Sequence, residues 1–225
     1  MSQNFIPEFS GTLRNFMLKV PEEIEACSGI RVFGRRIRSM VFSTDACIIK
    51  NCNADAVIAV YPFTPQPVIT QAVMMVSDVP VFAGVGGGLT RGQRVVDLGR
   101  HAEFQGASGV VVNAPTPNET IIELKKHIDL PIVVTVVNRS QDIGERIRAG
   151  ASFFNVSAAA ETAAIVREIR QEFPDAAIIA TGGPTVESIQ RTIEAGANAI
   201  TWTPPSSGEV FKSIMSAYRK DEPHP

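Results

Sequence analysis

The sequence predicts a closed (β/α)8 barrel, and three observations predict it. Apolar runs rich in Val and Ile recur eight times, a helical stretch follows each run, and one corner motif repeats at a period of two such modules. The runs span residues 37–42, 56–61, 79–83, 109–113, 131–137, 153–156, 177–180 and 199–202. They are short and lack clean polar alternation, the pattern of strands buried on both faces. The stretches between them are too long for hairpins, so the strands pair in parallel through crossovers. Helices are expected at 118–127, 140–149, 160–173 and 185–195.

The corner motif leads into the even-numbered runs as Asn53-Ala54, Gly106-Ala107, Gly150-Ala151 and Gly196-Ala197. Glycine suits the left-handed residue that ends a helix, and alanine lets the following strand pack closely. The glycines lie 44 and 46 residues apart (106 to 150, 150 to 196), so the chain reads as four quarter-units. An open doubly wound sheet would not favour that period, which leaves the single-domain barrel at 37–225. Residues 1–36 precede the alternation and are expected to form an N-terminal helical extension, with helices at 9–20 and 22–26 broken at Pro21. Such an extension would cover the barrel bottom or pair two subunits, and a homo-oligomer is expected.

Composition narrows the function classes. The 225 residues are 44% hydrophobic and carry a formal charge of −2, so neither nucleic acid nor an anionic membrane is the expected partner. No run approaches the ~18 apolar residues of a membrane span. The first ten residues lack the basic-then-apolar order of a secretory leader, and a cytoplasmic location is expected. Cys27, Cys47 and Cys52 read as reduced thiols, and with scattered His101, His127 and His224 they make no zinc set.

Working residues of such barrels lie at strand C-termini and in the loops beyond. Thr181-Gly182-Gly183 follows the seventh strand and precedes a helix start at Pro184-Thr185, a geometry that turns backbone N–H groups toward an anion. Ser206-Ser207-Gly208-Glu209 after the eighth strand starts a second helix with capping-box spacing. These residues form the candidate phosphate site, although Pro204 and Pro205 contribute no N–H donors. Gly86, Gly87 and Gly88, beside Arg91, form either a backbone nest over a substrate or a crowded loop.

Asp45 is the candidate general acid or base by elimination, and equally a cap of the first helix. Asn113 and Asn155 end buried strands and either orient substrate or join a structural network. Arg139 either holds an anion or is a solvated rim charge. No lysine or histidine stands at a strand end, which argues against Schiff-base chemistry and a histidine acid–base pair. No cofactor is expected and no metal site either, a weak divalent ion beside Asp45 and Glu161 being the one combination left open.

Thr181-Gly182-Gly183 resembles the phosphate-binding (β/α)8 barrels, which include thiamine-phosphate synthase and the 2-keto-3-deoxy-6-phosphogluconate aldolases. The likeness to the aldolases extends over residues 151–183. Phe153-Phe154-Asn155-Val156-Ser157-Ala158 stands where those enzymes carry a Lys-Phe-Phe-Pro-Ala type strand, and the catalytic lysine has no counterpart. Through Val60-Tyr61-Pro62-Phe63-Thr64-Pro65 and residues 82–88, 109–115 and 198–205, the chain also resembles small bacterial barrels labelled only "hydrolase".

The resemblance implies an enzyme of lyase or isomerase type acting on a small phosphorylated or anionic metabolite. Two alternatives accompany it: a hydrolase using water activated by Asp45, and a non-catalytic metabolite-binding regulatory barrel.

Overall fold

The computed structural model describes Pro7, Phe9, Gly11 and residues 18–222. Two short strands, β1 (Ile30–Val32) and β2 (Arg35–Ile37), precede the barrel. Eight strands follow: β3 (Ser39–Phe42), β4 (Ala56–Ala59), β5 (Val81–Gly86), β6 (Gly109–Val112), β7 (Ile132–Val136), β8 (Phe153–Val156), β9 (Ala177–Thr181) and β10 (Ala199–Trp202). They form a closed parallel ring in sequence order, with β10 pairing back onto β3.

Each barrel strand leads into a helix: α1 (Ala46–Lys50), α2 (Pro67–Val76), α3 (Gln93–Phe104), α4 (Asn118–His127), α5 (Ile143–Ala149), α6 (Thr162–Glu172), α7 (Val186–Glu194) and α8 (Ser207–Arg219). The predicted alternation is therefore present module by module. The glycines of the repeated corner, Gly106, Gly150 and Gly196, all have positive φ, as a helix-ending left-handed residue requires.

Strand alternation divides the apolar material into two layers. Met40, Ile58, Phe82, Val111, Val133 and Ile179 point inward and pack together in the barrel. The other parity, including Val110, Val112, Val134, Phe154, Val156 and Ile178, packs outward against the helices.

The sequence pattern did not reveal the hairpin. The run 37–42 is not one strand: Ile37 ends β2, Arg38 turns the chain, and β3 begins at Ser39. Phe33 and Gly34, with φ of 45° and 83°, make the tight turn between β1 and β2. Ile30, Val32 and Ile37 are buried in the same cluster as the inward barrel residues. The hairpin is thus a plug across the N-terminal end of the barrel, with Arg31, Arg35 and Arg36 on its solvent side.

Hydrogen bonds fasten the plug. Asp55 accepts the N–H groups of Arg38 (2.7 Å) and Ser39 (3.1 Å), and the Gly29 N–H donates to the Asn198 carbonyl (2.8 Å). Glu22–Ala26 is a short 3-10 helix that buries Ile24. Beside it Cys27 is also buried, which pushes its thiol up to about 11 and makes it unreactive.

The predicted helix at 9–20 falls mostly outside the described residues. Its last part is extended, because Leu18 bridges Cys52 in parallel register.

Candidate functional site

The C-terminal end of the barrel is open and uncharged inside. Asn113, Thr135, Asn155, Thr181 and Thr201 each lie two residues beyond an inward apolar residue of β6 to β10, so they share that inward face. Thr135 pairs in register with Asn155, and Thr181 with Thr201. The Thr201 hydroxyl donates to Asn155 Oδ1 at 3.4 Å, a long bond. Asn155 is 8% exposed, and the Asn113 side chain forms no hydrogen bond with a described residue. Thr201 was absent from the sequence-level candidates, although its period-two spacing from Ala199 was the available signal.

Asp45 is the N-cap of α1. One carboxylate oxygen accepts the N–H groups of Cys47 (2.8 Å) and Ile48 (3.2 Å). The other accepts the Ser207 hydroxyl at 2.6 Å. That hydroxyl, followed by the Ile48 N–H, holds the Asp45 carboxyl below its ordinary value. Such a group is a poor base, and the geometry gives it the capping role while tying α1 to the start of α8.

Asp45→Ala is expected to cost about 1 kcal/mol, the usual value of a lost cap. The depressed folded-state pKa means the carboxylate stabilises the fold above its unfolded value of about 3.9. That contribution is lost as pH falls through the folded value. Urea titrations of wild type and variant should therefore differ near neutrality and converge in acid.

Ser206 and Ser207 are both engaged. The Ser206 hydroxyl accepts the Glu209 N–H (3.2 Å) and donates to the Glu209 carboxylate (2.7 Å), which also accepts the Ser206 N–H. The cradle after β9 is similarly occupied. Thr185 and Ser188 form a reciprocal capping box at the start of α7, and Glu187 bonds its own N–H and Thr185. Gly182 donates its N–H to the Thr201 carbonyl and packs where a Cβ would lie 2.7 Å from Ile189. The Gly183 N–H has no protein partner among the described residues. Both predicted helix starts exist, and in each the chain's own side chains take up the N-cap and N3 N–H groups.

Arg139 does not reach the mouth. Its guanidinium bonds Glu161 and, at 3.0 Å, Glu168, forming an exposed ion-pair cluster on the outer flank of α6. Of the two readings of Arg139, this arrangement matches the rim charge, with Glu161 as one of its partners. Among the described residues no three His, Cys, Asp or Glu side chains group closely enough to hold a metal ion.

The cavity at the mouth lies opposite the predicted anion site, at the ends of β4, β5 and β6. It measures about 110 Å³ and is bounded by Tyr61, Phe63, Gly84, Gly88, Leu89 and Asn113, among others. Of the predicted glycines, Gly86 and Gly88 line it. Gly86 and Gly87 have φ of 142° and 104°, and the Gly87 N–H is bonded to the Thr90 carbonyl rather than turned to a ligand. A register shift between Gly84 and Gly86 bends β5 at this point. Arg91 Nε donates to the Gly88 carbonyl (2.8 Å) and stiffens the loop.

The Asn113 loop has its own anchor, one that no local sequence pattern signals. Arg146 on α5 donates to the carbonyls of Ala114 (2.9 Å) and Thr116 and to Asn118 Oδ1 (2.9 Å). Gln141 bridges Ala114 and Thr135 through their carbonyls.

No protein-family model matches the sequence, and no curated protein matches it. Solved structures do. A phosphonopyruvate hydrolase in complex with oxalate and Mg++ superposes with a TM-score of 0.63 at 11% identity, covering 83% of this chain and 84% of that one. A mandelate oxidase bound to 3,3-difluoro-2-hydroxy-3-phenylpropionic acid gives 0.64 at 16% identity, covering 85% and 71%. The phosphoenolpyruvate phosphomutase of Streptomyces platensis subsp. rosaceus gives 0.60 at 11% identity, covering 82% and 83%.

At these identities the likeness establishes the (β/α)8 fold. It does not support the resemblance to the aldolases over residues 151–183, where Asn155 and not a lysine faces the mouth.

Proposed function

We propose that the barrel mouth binds a small phosphorylated or otherwise anionic metabolite and acts on it by lyase or isomerase chemistry. The carrying observation is the convergence of Asn113, Thr135, Asn155, Thr181 and Thr201 on one interior face with no charge among them. Neutral donors of this kind hold anions and polarised oxygens without the desolvation cost of a buried cation. The fold neighbours that act on phosphonopyruvate and phosphoenolpyruvate support the substrate class by analogy. Asn113 and Asn155 orient the substrate in this reading, and the free Gly183 N–H with the Thr181 hydroxyl receives the anion.

The hydrolytic alternative needs Asp45 to activate water, and three hydrogen bonds to its carboxylate weigh against that. A regulatory barrel that binds without turnover is the second reading. It is favoured by the same engagement of Asp45, together with the pairing of Glu161 to Arg139.

Thermal-shift measurements against a panel of phosphorylated metabolites, with turnover followed by proton and phosphorus NMR, separate these. Stabilisation with conversion supports the enzyme, and stabilisation without conversion of any hit supports the regulatory barrel. No stabilisation by any phosphorylated compound rejects both.

A further inference from the structure

The cavity at β4–β6 has a character of its own. None of its lining residues carries a charge. Its floor is glycine at Gly84 and Gly86, and its sides are Tyr61, Phe63 and Leu89. Phe63 is 74% exposed and Leu89 97% exposed, and both line the cavity from different loops.

Exposed aromatic and aliphatic side chains flanking a concave surface mark a place where apolar surface is removed from water by a ligand. The polar groups of the lining, on Tyr61, Thr64, Thr90, Asn113 and the backbone, are all uncharged. The Asn113 side chain and the Gly88 N–H have no protein partner among the described residues, and the Tyr61 hydroxyl is occupied accepting the Gln66 N–H at 2.8 Å. The volume of about 110 Å³ is several times what one water needs.

We propose that this cup is the subsite for the uncharged end of the ligand, taking a short alkyl or acyl group whose single oxygen meets Asn113. The proposal rests on the reading that the mouth binds a metabolite, and it deepens that reading by naming a second, uncharged half. A ligand anionic at one end and apolar at the other would then lie across the mouth, its charged end toward β9 and β10. The wall carrying Leu89 is stiffened by the bonds from Gly87 N–H to the Thr90 carbonyl and from Arg91 to the Gly88 carbonyl, so the cup is preformed.

The test compares three probes on the wild-type protein and on Phe63→Ser and Leu89→Ser. Both substituted side chains are exposed, so the fold should tolerate the changes. The probes are methyl phosphate, isobutyl phosphate and isobutyramide, with binding measured by amide-shift NMR titration. The wild type is expected to bind isobutyl phosphate roughly tenfold more tightly than methyl phosphate, since about three extra carbons leave water. That preference should collapse toward unity in both variants, with shifts at Gly84 and Asn113 on binding.

Equal binding of the two phosphates, with no isobutyramide shifts at the cup, would overturn the subsite and leave the anion site standing. Isobutyramide shifts at Gly84 and Asn113 without binding of either phosphate would keep the subsite and overturn the anion site. Absence of binding by all three overturns both.

Discussion

Phe82→Ala is expected to lower the stability of the barrel by about 3–5 kcal/mol, the usual cost of deleting a buried aromatic side chain. Phe82 is 1% exposed and sits in the inward layer. Its ring meets Phe153 at a centroid distance of 6.5 Å, within the range of favourable aromatic pairs. It also fills the place left open by Gly109, where a Cβ would lie 2.4 Å from the ring. Truncation opens a cavity between two strands and the plug that the glycine cannot close. A typical domain has only about 5–15 kcal/mol to lose, so the urea midpoint should fall steeply. A loss below about 1 kcal/mol would show that the inward layer repacks freely, contrary to close packing of the interior.

Gly87→Ala is expected to damage both fold and site. A Cβ there would lie 2.1 Å from the Thr116 hydroxyl oxygen and 2.8 Å from the Asn113 backbone nitrogen. The φ of 104° adds strain of about 1–3 kcal/mol, and the overlap adds a similar amount. The Asn113 loop cannot yield cheaply, because Arg146 and Gln141 hold its carbonyls. Thr116 is only 1% exposed, so it is boxed in, and its hydroxyl has no hydrogen-bond partner among the described residues. The substitution should lower the urea midpoint and shift the Asn113 resonances. Gly88→Ala is the comparison: nothing lies within 4 Å of its Cβ position, and its effect on stability should stay within about 0.5 kcal/mol. Equal effects from the two substitutions would remove the steric explanation.

The architecture was legible because it is periodic. Strands buried on both faces give unbroken apolar runs, and the corner glycines at 106, 150 and 196 announce themselves by spacing. The hairpin was not legible, because Ile37 through Phe42 reads as one apolar run although Arg38 divides it between two sheets. Nothing local distinguishes an inward residue of β2 from one of β3.

The site was legible in part. Asn113 and Asn155 do face the mouth, since a strand's period of two fixes side-chain direction. For Arg139 and Asp45 two readings stayed open for another reason. A sequence shows which charges are near a strand end, but not which partners saturate them, and Glu168 and Ser207 lie 29 and 162 residues away. The loop anchored by Arg146 falls in the same class, bridged over 28 to 32 residues.

The plug at the base of the barrel has a consequence for traffic. With Ile30, Val32 and Ile37 filling the lower opening, the described residues leave the interior one doorway. Whatever enters the mouth must leave by the mouth. Solvent displaced from the well has no second exit, so it must slip out around the incoming molecule. Arrival and departure then share one bottleneck, and a change at that doorway alters both rates together.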